Sequence, residues 1–209
     1  MILPIKVRGV FATNSYFYID DETLHGFLID PGAEDEKILK IISEKKFVIE
    51  KILLTHGHFD HTGAAAKIQN ELNIPICMQK NGRDYAENPF LNLSAYFDLN
   101  ITLENVTYLE DYCEINSETN SNFGLELIPV SGHTTDGAIF YGAKDKVAFV
   151  GDSIFRDSIG QSNFPGGNRE QLYHEVTKKI LTLPPETVLL SGHSDPTTVK
   201  RERLNFGLT

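Results

Sequence analysis

The chain has 209 residues, 41% hydrophobic and 23% charged, and its 29 acidic side chains against 19 basic ones give a net charge of −10. That length and apolar content suit one domain, expected over residues 1–209, with a substantial core. The negative balance opposes phosphate backbones and anionic lipid, no stretch nears the roughly 18 apolar residues of a membrane span, and MILPIKVRGVF lacks an export-signal pattern; neither nucleic acid nor membrane is an expected partner, and a cytoplasmic setting is.

Short β-type runs alternate with helical patterns along the whole chain. Residues 16–19 and 26–29 read as an early strand pair around the turn 20–23. Residues 34–45 carry Ile38, Ile41 and Ile42 at helical spacing, with acids first and lysines last, as the helix dipole favours. A short apolar strand is expected at 51–54. Residues 62–72 read as a helix with Ala64, Ala65, Ile68 and Leu72 on one stripe and Thr62 as its cap. Cys77, in IPICM, and Cys113 belong to no CxxC pair and read as structural thiols in a reducing compartment. Residues 88–101 carry Phe90, Tyr96 and Phe97, for which packing is the ordinary role and lining an entrance the alternative. Residues 115–124, INSETNSNFG, read as a surface hairpin loop. Strands are expected at 125–130, 138–141, 147–150 and 188–190, with a helix at 169–181.

Three of the seven histidines, His56, His58 and His61, share six positions with Asp60. Imidazole and carboxylate are ligands common to zinc, iron and manganese, so this cluster indicates a transition metal before it indicates which one. His56 follows the strand 51–54, His133 follows 125–130, Asp152 follows 147–150 and His193 follows 188–190. Loops beyond strand carboxyl ends are where α/β proteins build sites, so residues far apart in sequence can converge there. Singly, His133 reads equally as a loop histidine and Asp152 as a helix cap; their shared placement is what makes a site. Gly57, Gly132, Gly151 and Gly192 each adjoin a candidate ligand and would let backbone pass close to a metal. Asp30, ending the run 26–29, is placed to orient a ligand histidine. His25, in a turn, and His174, in EQLYHEV, read as solvated. The sequence has no GxSxG elbow and no Cys-His pair that would suggest a covalent route.

Taken together, HGHFDH, SGHT, GDS and SGHSDPTT resemble the metallo-β-lactamase superfamily. Within it, GDSIFRDSIGQSNFPGGN followed by GHSDPTTVKRERLNFG is similar to short single-domain members of the glyoxalase-II-like branch, the hydroxyacylglutathione hydrolases. The resemblance covers nearly the whole chain and implies an α/β fold, an αββα four-layer sandwich of two mixed sheets with helices on the outer faces. It implies that His56, His58 and His133 hold one divalent metal, that Asp60, His61 and His193 hold a second, and that Asp152 bridges them. Zinc is the expected metal, with iron or manganese as alternatives. The implied activity is binuclear hydrolysis of a small-molecule thioester such as a hydroxyacylglutathione by a metal-bridging hydroxide, with Asp60 and Asp152 catalytic. The same fold leaves open an iron-dependent persulfide dioxygenase, with one iron on His56, His133 and Asp152, and a lactonase or other ester hydrolase. A non-catalytic metal-binding module is the rival from outside catalysis. The chain departs from the branch at Gln161, where an arginine is usual, and at Ser194, where a glycine is usual. Arg156 is the candidate anchor for an anionic substrate, with a structural salt bridge as its alternative role.

Overall fold

A computed structural model describes residues 1–208. The first sheet has the order β1 (Ile2–Arg8), β2 (Ala12–Ile19), β3 (His25–Ile29), β4 (Val48–Leu53), β5 (Ile76–Gln79), β6 (Val106–Leu109). Strands β1 to β3 run antiparallel and β3 to β6 parallel. Parallel neighbours need crossovers, and these are supplied by α1 (Asp35–Lys45), then α2 (Phe59–Thr62) with α3 (Ala65–Leu72), then a path through α4 (Arg83–Glu87).

The second sheet contains β7 (Glu114–Asn116), β8 (Gly124–Pro129), β9 (Ala138–Gly142), β10 (Val147–Gly151), β13 (Val188–Ser191) and β14 (Thr197–Thr198), in the order β14-β13-β10-β9-β8-β7. Only β10 and β13 pair in parallel. A small hairpin, β11 (Ile154–Phe155) with β12 (Ser158–Ile159), follows β10, and α5 (Arg169–Glu175) and α6 (Val199–Asn205) complete the outer layer.

Alternation along the strands builds the layers. Tyr16, Tyr18, Phe27 and Ile29 point between the sheets to meet Phe140, Phe149 and Leu190, while Phe17 and Leu28 point outward beneath Ile38, Ile42 and Ile68 of α1 and α3. On the other flank, Ala148 and Val150 meet Leu172 and Val199 of α5 and α6. Central strands are therefore buried on both faces, which is why they appear in the sequence as continuous apolar runs. The expected four-layer sandwich is the observed fold.

Two expected helices differ. Residues 62–72 are interrupted at Gly63 and Ala64, so Thr62 ends α2 rather than capping one long helix. The cause is the Pro31-Gly32 backbone: Ala64 N–H donates to Pro31 O at 2.9 Å, and a Cβ on Gly63 would lie 2.5 Å from Gly32 O. The helix at 169–181 is α-helical only over Arg169–Glu175 and widens to a π-turn over Val176–Ile180. His25 is also a correction. It is not simply solvated, because its Nδ1 lies 2.8 Å from buried Glu50 Oε1, which also accepts from Ser117 Oγ at 2.8 Å and so ties the 115–124 loop to the first sheet. His174 is exposed, as expected. Burial pushes the Cys77 thiol up to about 11 and raises Cys113, as suits packing residues. Among the described residues, no helix is long and apolar enough to cross a membrane.

Candidate metal centre

Four strand exits meet at one end of the sandwich. The turn after β4 and α2 carry His56, His58, Asp60 and His61; the segments after β8, β10 and β13 carry His133, Asp152 and His193. The parallel pairing of β10 with β13 contains a register shift between Phe149 and Gly151, and beyond it Asp152 and His193 leave side by side.

All seven sequence-derived donors come together. His58 Nδ1 lies 3.2 Å from His56 Nε2 and 3.0 Å from His133 Nε2. Nearby, His193 Nε2 lies 3.0 Å from Asp60 Oδ2 and 3.4 Å from His61 Nε2. Asp152 lies between the groups, with Oδ1 3.3 Å from His61 Nε2 and Oδ2 3.3 Å from His193 Nε2 and 3.8 Å from His133 Nε2. Three sets, His56/His58/His133, His56/His61/Asp152 and Asp60/His61/His193, each present donor atoms within 4.8 Å of one another.

Groups outside the donor set hold the rings. His133 Nδ1 is 2.5 Å from Gln161 O and His193 Nδ1 is 2.9 Å from Ala12 O; a carbonyl only accepts, so both Nδ1 atoms carry the proton and each Nε2 is turned to the centre. His61 Nδ1 sits 2.9 Å from Asp30 Oδ2, and Thr55 Oγ1 lies 3.2 Å from His56 Nδ1 while donating to Asp30 Oδ2 at 2.7 Å. Asp30 thus takes the orienting position expected of it.

Charge divides the site. Burial pushes His58 down to about 3, holds His56 well below its ordinary value and lowers His133, so the first triad presents neutral imidazoles. Burial also disfavours charge on His61 and His193, but Asp152, Asp60 and Asp30 overcome it at His61, and hydrogen bonds to Asp152 and Asp60 raise His193 to about 10. Burial opposes ionisation of Asp152 and Asp60, yet His61 and His193 hold both below the usual carboxylate range. Converging ring nitrogens, two carboxylates that demand positive charge, and a buried His58 Nε2 with no hydrogen-bond partner form a donor set that fits metal cations.

The adjoining glycines act differently from the expectation. A Cβ on Gly57 would strike Tyr85, on Gly132 the Leu172 backbone, and on Gly151 Thr55; only at Gly192 would it reach the donors, 2.4 Å from His61 Cε1 and 2.6 Å from Asp152 Oδ1. Three of the four therefore let secondary elements close on one another.

Above the donors lies a cleft of about 430 Å³. Phe11, Phe59, Leu93, Phe97, Phe155 and Phe164 form its apolar walls, joined by Ala12 and Gln161. From residues 88–101, Phe97 lines this cleft while Phe90 and Tyr96 are exposed, so packing is not the main role of the three. Arg156 does not line it. Its guanidinium lies 3.8 Å from both Asp157 and Asp195, and its N–H donates to Ser194 Oγ, so the loop-bracing alternative describes its contacts. Phe11, Phe155, Phe164, Thr55 and Asp136 were not singled out from the sequence; of these only Thr55, next to His56 at a strand exit, carried a local signal.

The Metallo-beta-lactamase superfamily model matches residues 8–193. A probable metallo-hydrolase, YqgX of Bacillus subtilis, is 34% identical over 93% of this chain and 91% of its own length. Hydroxyacylglutathione hydrolase GloC of Haemophilus influenzae is 30% identical over 97% and 93%. Among solved structures, BLEG-1 B3 metallo-β-lactamase has a TM-score of 0.91 at 30% identity with full coverage of both chains. TTHA1623, solved in a di-iron-bound form, has a TM-score of 0.84 at 31% identity over 96% of each chain. The family match spans most of the chain and the relatives cover nearly all of it, so the chain belongs to the metallo-β-lactamase superfamily.

Proposed function

We propose that this chain is a binuclear metallohydrolase that cleaves small-molecule thioesters, the bond class for which its relative GloC, a hydroxyacylglutathione hydrolase, is named, with the acyl and thiol groups set by this chain's own cleft. His56, His58 and His133 would hold one metal, Asp60, His61 and His193 the other, and Asp152 would touch both. When bound, a divalent pair of zinc, iron or manganese supplies hydroxide near neutral pH and polarises the substrate carbonyl. The di-iron form of TTHA1623 supports double occupancy.

One observation favours a thioester. Among the described residues, the ionisable side chains lining the cleft are His58, Asp60, His133, Asp152 and His193, and all belong to the donor set. None is left to protonate a leaving group. A thiolate, with a pKa near 8.5, departs without that help, whereas an alkoxide or amine needs it. Asp60 holds its charge, lines the cleft and accepts from Thr13 Oγ1 at 3.4 Å, which would fix its carboxylate to orient an attacking water. Asp152, fixed between the triads, sets their separation.

Metal analysis with paired assays tests the reading. Two metals per chain, thioester cleavage abolished by a chelator and its return on adding metal are the expected results. One iron with oxygen uptake on glutathione persulfide would replace the proposal with a dioxygenase, and β-lactam cleavage without thioester cleavage would replace it with a lactamase.

A further inference from the structure

We infer that the thioester taken by this site carries an apolar acyl group, aromatic or medium-chain aliphatic, held between the rings of the cleft. This rests on the thioester-hydrolase reading and adds the substrate class to it. Apart from the donors and Ala12, the lining is Phe11, Phe59, Leu93, Phe97, Phe155 and Phe164, with Gln161 the one other polar residue. The walls come from four separate parts of the chain and still form a continuous surface. Between ring centres, Phe11 and Phe97 meet edge to face at 5.3 Å, Phe59 and Phe97 lie tilted at 5.2 Å, and Phe164 stands 5.5 Å from His58 and 5.9 Å from His133. Phe155 stands edge-on to His193, 6.1 Å between ring centres. The rings therefore reach the donors themselves, so a carbonyl placed at the donors has its acyl substituent among them.

Phe11 and Phe97 are 46% and 41% exposed, an apolar face that gains by being covered. A volume of about 430 Å³ suits a small organic group rather than a single methyl. A short hydroxylated acyl group would leave these rings wet and find only Gln161 for its hydroxyl. Charge argues the same way for the other half. Among the described residues no lysine or arginine lines the cleft, Arg156 is held by Asp157 and Asp195, and Asp60 and Asp152 face inward. A thiol bearing carboxylates finds no cation there, so the thiol half faces outward and contributes little to selectivity.

The test uses the metal-loaded protein and thioesters sharing one neutral thiol, N-acetylcysteamine, with acetyl, lactoyl, butanoyl, hexanoyl, octanoyl and phenylacetyl groups. The expected kcat/KM rises about 3–4-fold per added methylene until the cleft is filled, as burial of that group predicts. Lactoyl falls with acetyl at the bottom of the series. Phe97→Ala lowers the octanoyl-to-acetyl ratio several-fold, and a melting curve matching the parent shows that the change is local. A flat series, or lactoyl above octanoyl, overturns the inference while leaving thioester hydrolysis standing. No cleavage of any member overturns the thioester reading and this inference with it.

Discussion

His61 Nδ1 lies 2.9 Å from Asp30 Oδ2, and that carboxylate also accepts from the Thr55 hydroxyl at 2.7 Å, with its other oxygen accepting the Thr55 N–H at 2.8 Å. One side chain therefore orients a ring in the second triad and braces the turn that leads to the first. Asp30 sits in the left-handed region at φ 50°, which Asn tolerates well. Asp30→Asn keeps the backbone and should weaken metal binding about 10–100-fold, measured by competition with a chelator. Unchanged affinity would show that the carboxylate does not set the ligand geometry.

Among the histidines, His58→Ala should lower metal content and activity by orders of magnitude, since His58 Nδ1 is the atom that both His56 and His133 approach. His174→Ala, on the exposed face of α5, should change neither. Metal stoichiometry and turnover on the two variants provide the comparison, and equal effects would refute the sorting of these residues.

Gly192 gives a steric test. An added methyl would sit 2.4 Å from His61 Cε1 and 2.6 Å from Asp152 Oδ1, with no flexible end to yield. Gly192→Ala should displace the second triad, dropping bound metal from two ions per chain toward one. Retention of both ions in elemental analysis would mean that the loop relaxes around the methyl.

Asp136 gives a pH signature. It is fully buried, and burial pushes it from 3.8 up to about 7 against the opposing pull of the Thr134 hydroxyl and the Gly57 N–H. Because the folded form keeps the proton to higher pH than the unfolded form, its contribution is intact below pH 3.8 and is lost as pH rises through about 7. Asp136→Asn removes that loss. The stability of the variant relative to the parent should therefore climb between pH 4 and 7, at up to roughly 1.4 kcal/mol per pH unit, and level off above. A pH-independent difference in denaturant midpoints would contradict the assignment.

The donor set was legible because four members crowd into residues 56–61 and the other three come within three residues of an apolar run, and a strand fixes where its carboxyl end delivers the residues that follow. The edge strand β1 was not expected: Pro4 and the charges of Lys6 and Arg8 mask an alternation that matters only once β2 is beside it. The break between α2 and α3 was hidden for the same reason, since the obstructing carbonyl belongs to Gly32, 31 positions before Gly63. Phe11 and Phe164 sit in irregular loops and Phe155 in the two-residue strand β11, their convergence on the cleft depends on the whole fold, and no local period marks them. For Arg156, four residues past Asp152, the sequence leaves anchor and loop brace equally open, because Asp195, 3.8 Å from its guanidinium, is brought in by another loop.

The donors run from His56 to His193 and are divided between the two sheets, so neither half of the polypeptide can assemble the centre alone. A nascent chain emerging from the ribosome lacks His193, and with it a complete set with Asp60 and His61, until β13 is made and docked beside β10. The full set of seven donors is consequently a late product of folding, present only once the two halves of the chain have found each other.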